Sequence, residues 1–257
     1  MFDLHCHSVH SDGALSVADL LQRARDVGVT TLSITDHDTI EGYLEACSLT
    51  DANGGLTLVS GVELSCTWGK VGVHVVGLDF DPNHQPLREA LARQAQAREQ
   101  RAEVIAERLT KFGFYGSYAG ARQLAKGSQV GRPHFARYLV NAGYVDSIEQ
   151  AFKRYLGAGK AGDVKAMWPS LETVIDWIVH AGGIAVLAHP LKYSLTGTRL
   201  RALLAAFSDA GGGGMEVLSG RQELVDTRYL VGLCKDYGLL GSVGSDFHAP
   251  AVWSELG

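Results

Sequence analysis

The 257-residue sequence predicts an α/β fold, a distorted (β/α)7 barrel of the TIM type with a helical insertion. Seven short apolar runs rich in β-branched residues recur along the chain, helical patterns separate several of them, and one long segment carries helical patterns alone. Buried runs that alternate with helices are typical of a parallel sheet. The predicted strands are residues 2–6, 31–35, 57–62, 73–80, 184–188, 214–218 and 239–244.

The helices between these strands have recognisable start and stop signals. In SVADLLQRARDVG, Ser16 and Asp19 have the spacing of a capping box, and Gly28 ends the helix. SLETVIDWIVHAGG repeats this pattern from Ser170. The third and fourth strands are only about ten residues apart, which is too short for a crossover helix. We therefore expect an irregular or antiparallel junction between them.

Residues 81–168 contain helical patterns and no strand pattern. The sequence thus predicts a barrel domain of residues 1–80 and 169–257 and a helical insertion, 81–168, that acts as a substrate lid. Residues 86–160 carry 13 lysines and arginines against 6 acidic residues, whereas the rest of the chain carries 10 against 22. An acidic body that binds cations and a basic segment that attracts an anionic substrate would give this distribution, and so would a solvated helix with incidental arginines.

Composition excludes several classes of protein. No run of about 18 apolar residues is present, and a His-Cys-His sequence lies within the first seven residues, so we expect neither a membrane span nor a signal peptide. The four cysteines are scattered without a CxxC pair, which argues against disulfides and against a thiolate zinc site. The sequence predicts a cytoplasmic protein with free thiols, no membrane association and no obligate protein partner.

Histidines and carboxylates lie at the ends of the predicted strands. Carboxyl ends of parallel strands share one face of a barrel, so these residues should converge there, and His74 should join them if its strand is reversed. Imidazole and carboxylate without thiolate suit Mn²⁺, Zn²⁺ or Fe²⁺ better than Cu⁺ or an iron–sulfur cluster. The candidates at these strand ends are His5, His7, Asp36, His37, Asp38, Glu63, His74, His189, Asp246 and His248.

The chain contains the motifs DLHCHS at 3–8, SDG at 11–13, ITDHDT at 34–39, GVE at 61–63, HVVG at 74–77, AHP at 188–190 and GSDFH at 244–248. In these motifs it resembles the polymerase and histidinol phosphatase (PHP) domain family of metal hydrolases. Further motifs are similar to the branch that dephosphorylates 3′,5′-nucleoside bisphosphates and degrades short RNA from its 5′ end. These are GRPHFARYLV at 131–140, the RYLGAGKAG region near 160 and the terminal HAPAVWSELG.

This resemblance implies three divalent ions, with Mn²⁺ expected first and Zn²⁺ or Fe²⁺ as alternatives. The implied ligands are His5, His7, Glu63 and Asp246 for the first ion, bridging Glu63 with His74 and His189 for the second, and Asp12, His37 and His248 for the third. It further implies a nucleotide or short RNA substrate, hydrolysed by a hydroxide that bridges the first two ions. Catalytic roles then fall to Glu63, Asp246 and His248.

Other polar residues are candidates for substrate contacts or for support of the ligands. Arg132 and His134 lie at the start of a predicted helix, where backbone N–H groups and a guanidinium can bind phosphate. A surface arginine with no role in substrate binding would give the same sequence pattern. Lys160, in a glycine-flanked loop, is a weaker candidate. Asp36 or Asp38 can orient a ligand histidine, and for Asp38 a helix-capping role is favoured.

Two other functions fit part of the pattern. A metal-dependent amidohydrolase or deacetylase would use the same ions to polarise a carbonyl, but a neutral amide does not need Arg132 or the basic insertion. A non-catalytic PHP module would bind metal for structure or regulation. Such modules typically lack some ligands, whereas every ligand position is filled here.

Overall fold

The computed structural model describes residues 1–49, 55–165, 167–251 and 254–257. Residues 252 and 253 of the terminal HAPAVWSELG motif lie outside this part of the chain. The strands are β1 Phe2–Cys6, β2 Thr31–Ile34, β3 Thr57–Leu58, β4 Gly61–Trp68, β5 Val71–Leu78, β6 Ile184–Leu187, β7 Gly214–Ser219 and β8 Leu240–Gly244.

The α-helices are α1 Val17–Asp26, α2 Glu41–Leu49, α3 Gln85–Thr110, α4 Ser117–Ala125, α5 Arg132–Asn141, α6 Ile148–Ala151, α7 Leu171–His180, α8 Gly197–Asp209 and α9 Leu224–Tyr237. A π-helical turn follows α6 at Phe152–Leu156, and a 3₁₀ turn follows β6 at Pro190–Tyr193. The predicted N-caps are confirmed: Ser16 accepts a hydrogen bond from the Asp19 amide and Ser170 one from the Thr173 amide.

The chain forms two compact units. The first consists of Met1–Leu91 and Pro169–Gly257 and contains all eight strands found in the described residues. The second is Ala92–Trp168, whose described residues form helices and turns around an apolar cluster that includes Leu109, Phe135 and Leu139. Helix α3 begins in the first unit and ends in the second.

The first unit has the predicted mixed α/β architecture, and its strands lie in two sheets. One is parallel and has the order β1-β2-β3, and the other has the order β4-β5-β6-β7-β8. Strand β5 is antiparallel to both β4 and β6, whereas β6, β7 and β8 are parallel. The antiparallel junction predicted from the short connection between the third and fourth strands is therefore confirmed.

A closed seven-stranded barrel is not found among the described residues. The predicted third strand is broken at residues 59–60, so β3 pairs with β2 while β4 pairs with β5. Ser60 contributes to this break because its hydroxyl donates to the Phe80 carbonyl, just beyond β5. Two isolated bridges, Cys6 to Phe247 and His37 to Glu63, connect strands of the two sheets.

The larger core lies between the five-stranded sheet and its helices. Helix α7 buries Leu171, Val174, Ile175 and Ile178, which have the spacing of one helical face. All four cysteines are free, as predicted. Within the described part of the chain, none of the helices combines the length and the apolar character that a membrane crossing requires.

Candidate metal centre

The end of β1 brings two histidines beside the segment that follows β8. The Asp246 amide donates to the His5 carbonyl at 2.8 Å, and the His7 amide donates to the Phe247 carbonyl at 2.9 Å. These bonds align residues from opposite ends of the sequence. His5 and His7 are both completely buried.

The segment after β2 lies in the same way beside the start of β4. The Glu63 amide donates to the Asp36 carbonyl at 3.3 Å, and the Asp38 amide donates to the Glu63 carbonyl at 2.9 Å. Glu63 is therefore paired with His37 on the neighbouring segment. Glu63 was predicted from the sequence to follow a strand, whereas it lies inside β4. Beyond the break at residues 59–60 the chain keeps the register that β3 has with β2, so that Glu63 pairs with His37.

Four donor atoms surround one small volume. His5 Nε2 lies 3.2 Å from His7 Nε2, and both nitrogens lie 3.4 Å from Glu63 Oε2. Asp246 Oδ1 lies 3.6 Å from His5 Nε2 and 3.3 Å from His7 Nε2. Four tetrahedral ligands with metal bonds of about 2.1 Å would lie about 3.4 Å apart. His5, His7 and Asp246 have close to this spacing, and Glu63 lies at a similar distance from both histidines, so these side chains are near enough to hold one first-row divalent ion.

The second oxygen of Glu63 faces other histidines. Glu63 Oε1 lies 2.7 Å from His74 Nδ1 and 3.0 Å from His189 Nε2. Because β5 is antiparallel to its neighbours, His74 comes from the middle of that strand rather than from its end. The two oxygens of one carboxylate therefore face two different sets of imidazoles.

Asp12, in the loop after β1, lies between two further histidines. Its Oδ1 is 3.3 Å from His248 Nε2, and its Oδ2 is 3.7 Å from His37 Nε2. Three overlapping groups of side chains could each hold an ion, because the donor atoms inside each group lie within 4.8 Å of one another. Together the three groups contain eight of the nine predicted ligands. The groups are His7, Asp12, His37 and His248; His5, His7 and Asp246; and His37, Glu63 and His74.

Buried polar atoms in this cluster lack hydrogen-bond partners. Glu63 Oε2 is buried and accepts no hydrogen bond, although imidazole nitrogens of His5, His7 and His37 lie 2.9 to 3.4 Å away. His189 Nδ1 is also buried without a partner. An unpaired buried carboxylate oxygen is costly in a folded protein. Surrounded by imidazoles, this oxygen fits a role as a metal ligand.

The carboxylates of the cluster are held in their charged form. Burial raises the pKa of Asp12, Glu63 and Asp246, but the surrounding histidines outweigh burial and bring all three pKa values well below their usual range. Lys192, which contacts Asp246, adds to this effect. The site therefore has three buried negative charges that require cations nearby.

The histidines divide into two classes. Burial, with the help of His248, lowers the pKa of His7 to about 3, and burial lowers that of His74 to about 4. Burial also acts against protonation of His248, but Asp12 outweighs it and raises the pKa to about 9. The pKa of His5 is likewise raised, because Glu216, Glu63 and Asp246 outweigh burial. In the metal-free protein, His5 and His248 therefore carry protons whose positive charge bound metal ions would replace.

Two of the ligand candidates have a backbone conformation that is unusual for a residue other than glycine. His189 has φ of 29° and Asp246 has φ of 52°, and Asp38, next to His37, has φ of 54°. Positive φ at a residue other than glycine costs roughly 1 to 3 kcal/mol and is common at functional sites. The fold therefore holds His189 and Asp246 in conformations that an isolated chain would avoid.

Asp36 and Asp38 support the loops of the cluster. Asp36 accepts hydrogen bonds from the Ser8 amide and from the Ser8 and Ser11 hydroxyls, which fixes the loop that carries Asp12. Asp38 accepts from the Ser65 amide at 2.7 Å. Helix α2 begins three residues after Asp38, so the capping role favoured for this residue was wrong.

Sequence reasoning missed Glu216, a buried residue of β7. Its Oε1 lies 2.6 Å from His5 Nδ1, and its Oε2 accepts the His189 amide at 2.5 Å. A charged residue in the middle of the apolar strand GMEVL was the available signal, since an unpaired glutamate is rarely buried.

The predicted substrate contacts lie in the second unit. Half-buried Arg132 donates to the Leu156 carbonyl at 3.2 Å, and its guanidinium lies 6.0 Å from the Phe152 ring centre. His134 is buried, and its Nδ1 accepts the Gly131 amide at the start of α5. Lys160 is exposed in a turn. The second unit thus contains Arg132, His134 and Lys160, whereas the metal-ligand candidates all belong to the first.

Comparisons with known proteins identify the family of the chain. The family model described as PHP domain matches residues 3–163. Over 256 residues, covering all of this chain and 93% of the relative, the chain is 47% identical to a 5′-3′ exoribonuclease of Haemophilus influenzae. It is 40% identical over 249 residues to a 3′,5′-nucleoside bisphosphate phosphatase of Chromobacterium violaceum, covering 96% of this chain and 87% of that one.

A solved structure from Chromobacterium violaceum, described as an amidohydrolase with bound sulfate and no metal, has the same fold. It aligns with a TM-score of 0.92 and 39% identity over 99% of this chain and 89% of that chain.

Proposed function

Because this chain belongs to the PHP domain family, we propose that it is a metal-dependent phosphoesterase acting on nucleotides. Its substrates are 3′,5′-nucleoside bisphosphates, from which it releases the 3′-phosphate, and short 5′-phosphorylated RNA, which it degrades from the 5′ end. Relatives at 47% and 40% identity are named 5′-3′ exoribonuclease and 3′,5′-nucleoside bisphosphate phosphatase. The observation that carries the proposal is Glu63, whose two oxygens face separate sets of imidazoles.

The proposed centre holds three divalent ions, and Mn²⁺ is the expected metal. His5, His7, Glu63 and Asp246 would hold the first ion, Glu63 with His74 and His189 the second, and Asp12, His37 and His248 the third. The short distances among His5, His7 and Asp246, the Glu63 oxygen that accepts no hydrogen bond and the absence of thiolate from the set support this assignment.

Bound divalent ions would activate water and neutralise charge on the phosphoryl group. The residues of the chain hold the geometry for this reaction. Glu63 fixes the separation of the first two sites, because one rigid carboxylate reaches both. The buried side chains of His5 and His7 keep bulk water from the inner side of the centre. Asp246 and His248 follow one strand and set the first and third sites at a fixed spacing.

A phosphate substrate suits this charge pattern better than an amide. Three divalent ions against three carboxylates leave a site of about +3, which favours a dianion. Relatives named as a 5′-3′ exoribonuclease and as a 3′,5′-nucleoside bisphosphate phosphatase likewise favour a phosphate substrate. For these reasons the phosphoesterase function is favoured over hydrolysis of C–N bonds.

A second phosphate of the substrate is proposed to bind Arg132 and His134, with Lys160 as a weaker contact, in a helical insertion of residues 81–168 that serves as a substrate lid. The position of Arg132 at the start of α5 supports this role, because a guanidinium favours phosphate oxygens. The basic excess of residues 86–160 adds a long-range attraction for anions.

The test is a substrate panel with one protein preparation. With Mn²⁺ added, we expect rapid release of phosphate from 3′-phosphoadenosine 5′-phosphate, processing of 5′-phosphorylated RNA and slow hydrolysis of p-nitrophenyl phosphate. An N-acetylated amide should remain intact, and a chelator should abolish all turnover until a divalent ion is restored. Turnover of the amide alone, or turnover that resists chelation, would overturn the proposal.

A further inference from the structure

Glu216 connects two ligand histidines that come from different sheets. It lies near the middle of β7 with 1% of its surface exposed. One carboxylate oxygen meets the His5 imidazole of β1, and the other meets the backbone of His189, which follows β6. These contacts of 2.6 and 2.5 Å account for both oxygens.

The contact with His5 determines which ring nitrogen can bind a metal. With Nδ1 donating to Glu216, the remaining nitrogen, Nε2, faces the other donors of the first set. A carboxylate behind a histidine also makes that histidine a stronger ligand and fixes the plane of its ring. Glu216 therefore presents His5 to the first site in a single orientation.

The contact with His189 acts through the backbone. His189 has φ of 29°, a conformation that histidine adopts only when its surroundings enforce it. The amide of this residue donates to Glu216 Oε2, while its Nε2 lies 3.0 Å from Glu63 Oε1. The carboxylate thus stabilises the strained turn that points His189 toward the second site.

We infer that Glu216 is a positioning residue that couples the first and second metal sites, because one carboxylate fixes a ligand of each. The inference rests on the proposed function, in that the cluster must bind divalent ions. It assigns no contact with substrate or metal to Glu216.

A purely structural role would be a buried charge pair that stabilises the fold. The neighbours of Glu216 in β7 allow the two roles to be separated. Met215 and Val217 are buried in the apolar core, whereas Glu216 contacts His5 and the His189 backbone. Val217→Ala removes core packing in the same strand without touching a ligand, so it is the matched control.

The experiment measures metal affinity and stability without using activity. Metal-free wild type, Glu216→Gln, Glu216→Asp and Val217→Ala are titrated with Zn²⁺ and with Mn²⁺ against a chromophoric chelator. The Tm of each is measured with and without metal. Glutamine can accept only one of the two hydrogen bonds and turns an N–H toward the other donor.

We expect Glu216→Gln to weaken the tightest site by roughly tenfold to a hundredfold and to reduce the metal-induced rise in Tm. Glu216→Asp should recover part of this loss, because it keeps two acceptor oxygens. Val217→Ala should lower the Tm of the metal-free protein and leave metal affinity unchanged.

Wild-type affinity in Glu216→Gln, or an equal loss of affinity in Val217→Ala, would overturn the inference. Failure of the wild type itself to bind metal would instead refute the proposed function, so the two failures can be told apart.

Discussion

At the scale of single residues, Glu63 has the largest expected effect. Glu63→Gln keeps the shape of the side chain but removes the charge that both oxygens present to the imidazoles. We expect turnover to fall at least a hundredfold and the metal content to drop by one ion or more, with little change in far-UV circular dichroism.

The control for this substitution is Glu172→Gln, at an exposed glutamate in the first turn of α7. It should retain wild-type turnover and metal content. Near-normal activity of Glu63→Gln in buffer with excess metal would contradict a bridging role for this residue.

A second prediction at this scale concerns the contact between Arg132 and the substrate. If it binds a phosphate that the ions do not hold, Arg132→Ala should lower kcat/KM on a 3′,5′-bisphosphate by roughly tenfold to a hundredfold, since such a contact contributes about 1.5 to 3 kcal/mol. An aryl phosphate, with one phosphate only, should lose far less.

The comparison is the ratio of mutant to wild type on the two substrates, in the same metal and salt. Arg154→Ala removes an exposed positive charge from the same unit and serves as the control. Equal losses on both substrates would assign Arg132 to the reacting phosphate or to the fold.

The residues of the cluster could be predicted from the sequence, because histidines and carboxylates that follow apolar runs are typical of metal sites at the ends of strands. Glu216 was not predicted, because its role depends on two contacts made through tertiary structure. The role of Asp38 was misjudged for a similar reason. A local capping pattern was favoured, whereas the partner is an amide of another strand.

At the scale of secondary structure, β1 and β8 approach closely at one glycine. A Cβ atom at Gly244 would lie 2.4 Å from His5 Cβ and 2.8 Å from the His5 amide nitrogen, so the strands would have to separate. We expect Gly244→Ala to destabilise the protein by about 1 to 3 kcal/mol and to weaken metal binding, although residue 244 is not a ligand.

Gly241→Ala, in the same strand, is the matched control. A Cβ there would meet only Val217 side-chain atoms at 3.4 Å, which is ordinary contact. Urea unfolding and metal titration of both variants check the prediction. If Gly244→Ala destabilised the fold yet bound metal normally, the spacing of these strands would not control the centre.

Helix boundaries were more predictable than strand pairing. The caps of α1 and α7 are local signals, and both are confirmed. At the break at residues 59–60, Val59 bonds to β2 whereas Ser60 bonds to Phe80, twenty residues later, so the break could not be predicted from the local sequence. The reversed strand was predictable, because a short connection excludes a crossover helix.

At the scale of the molecule, the charge balance of the cluster predicts how metal binding depends on pH. Burial opposes protonation of His248, but Asp12 raises its pKa to about 9, so near pH 7 this imidazole carries a proton that a metal must displace. His7 and His74, with pKa values of about 3 and 4, release none. Affinity should therefore rise with pH until about pH 9, by roughly tenfold per pH unit for each proton lost.

Isothermal titration at pH 7 in two buffers with different ionisation enthalpies measures the protons released directly. We expect at least one proton per fully loaded chain. Binding that releases no proton, or that weakens between pH 7 and pH 9 in a buffer that does not bind the metal, would contradict this charge balance.

The pairing of Cys6 with Phe247 has a consequence for biosynthesis. A ribosome produces Asp246 and His248 about 240 residues after His5 and His7. The second unit, Ala92–Trp168, is continuous in sequence, so all of its residues are synthesised before β6. The nascent chain therefore offers an incoming ion an incomplete set of ligands for most of its synthesis. If the cluster holds the proposed ions, we therefore expect complete metal loading to follow the closure of β8 against β1, late in folding.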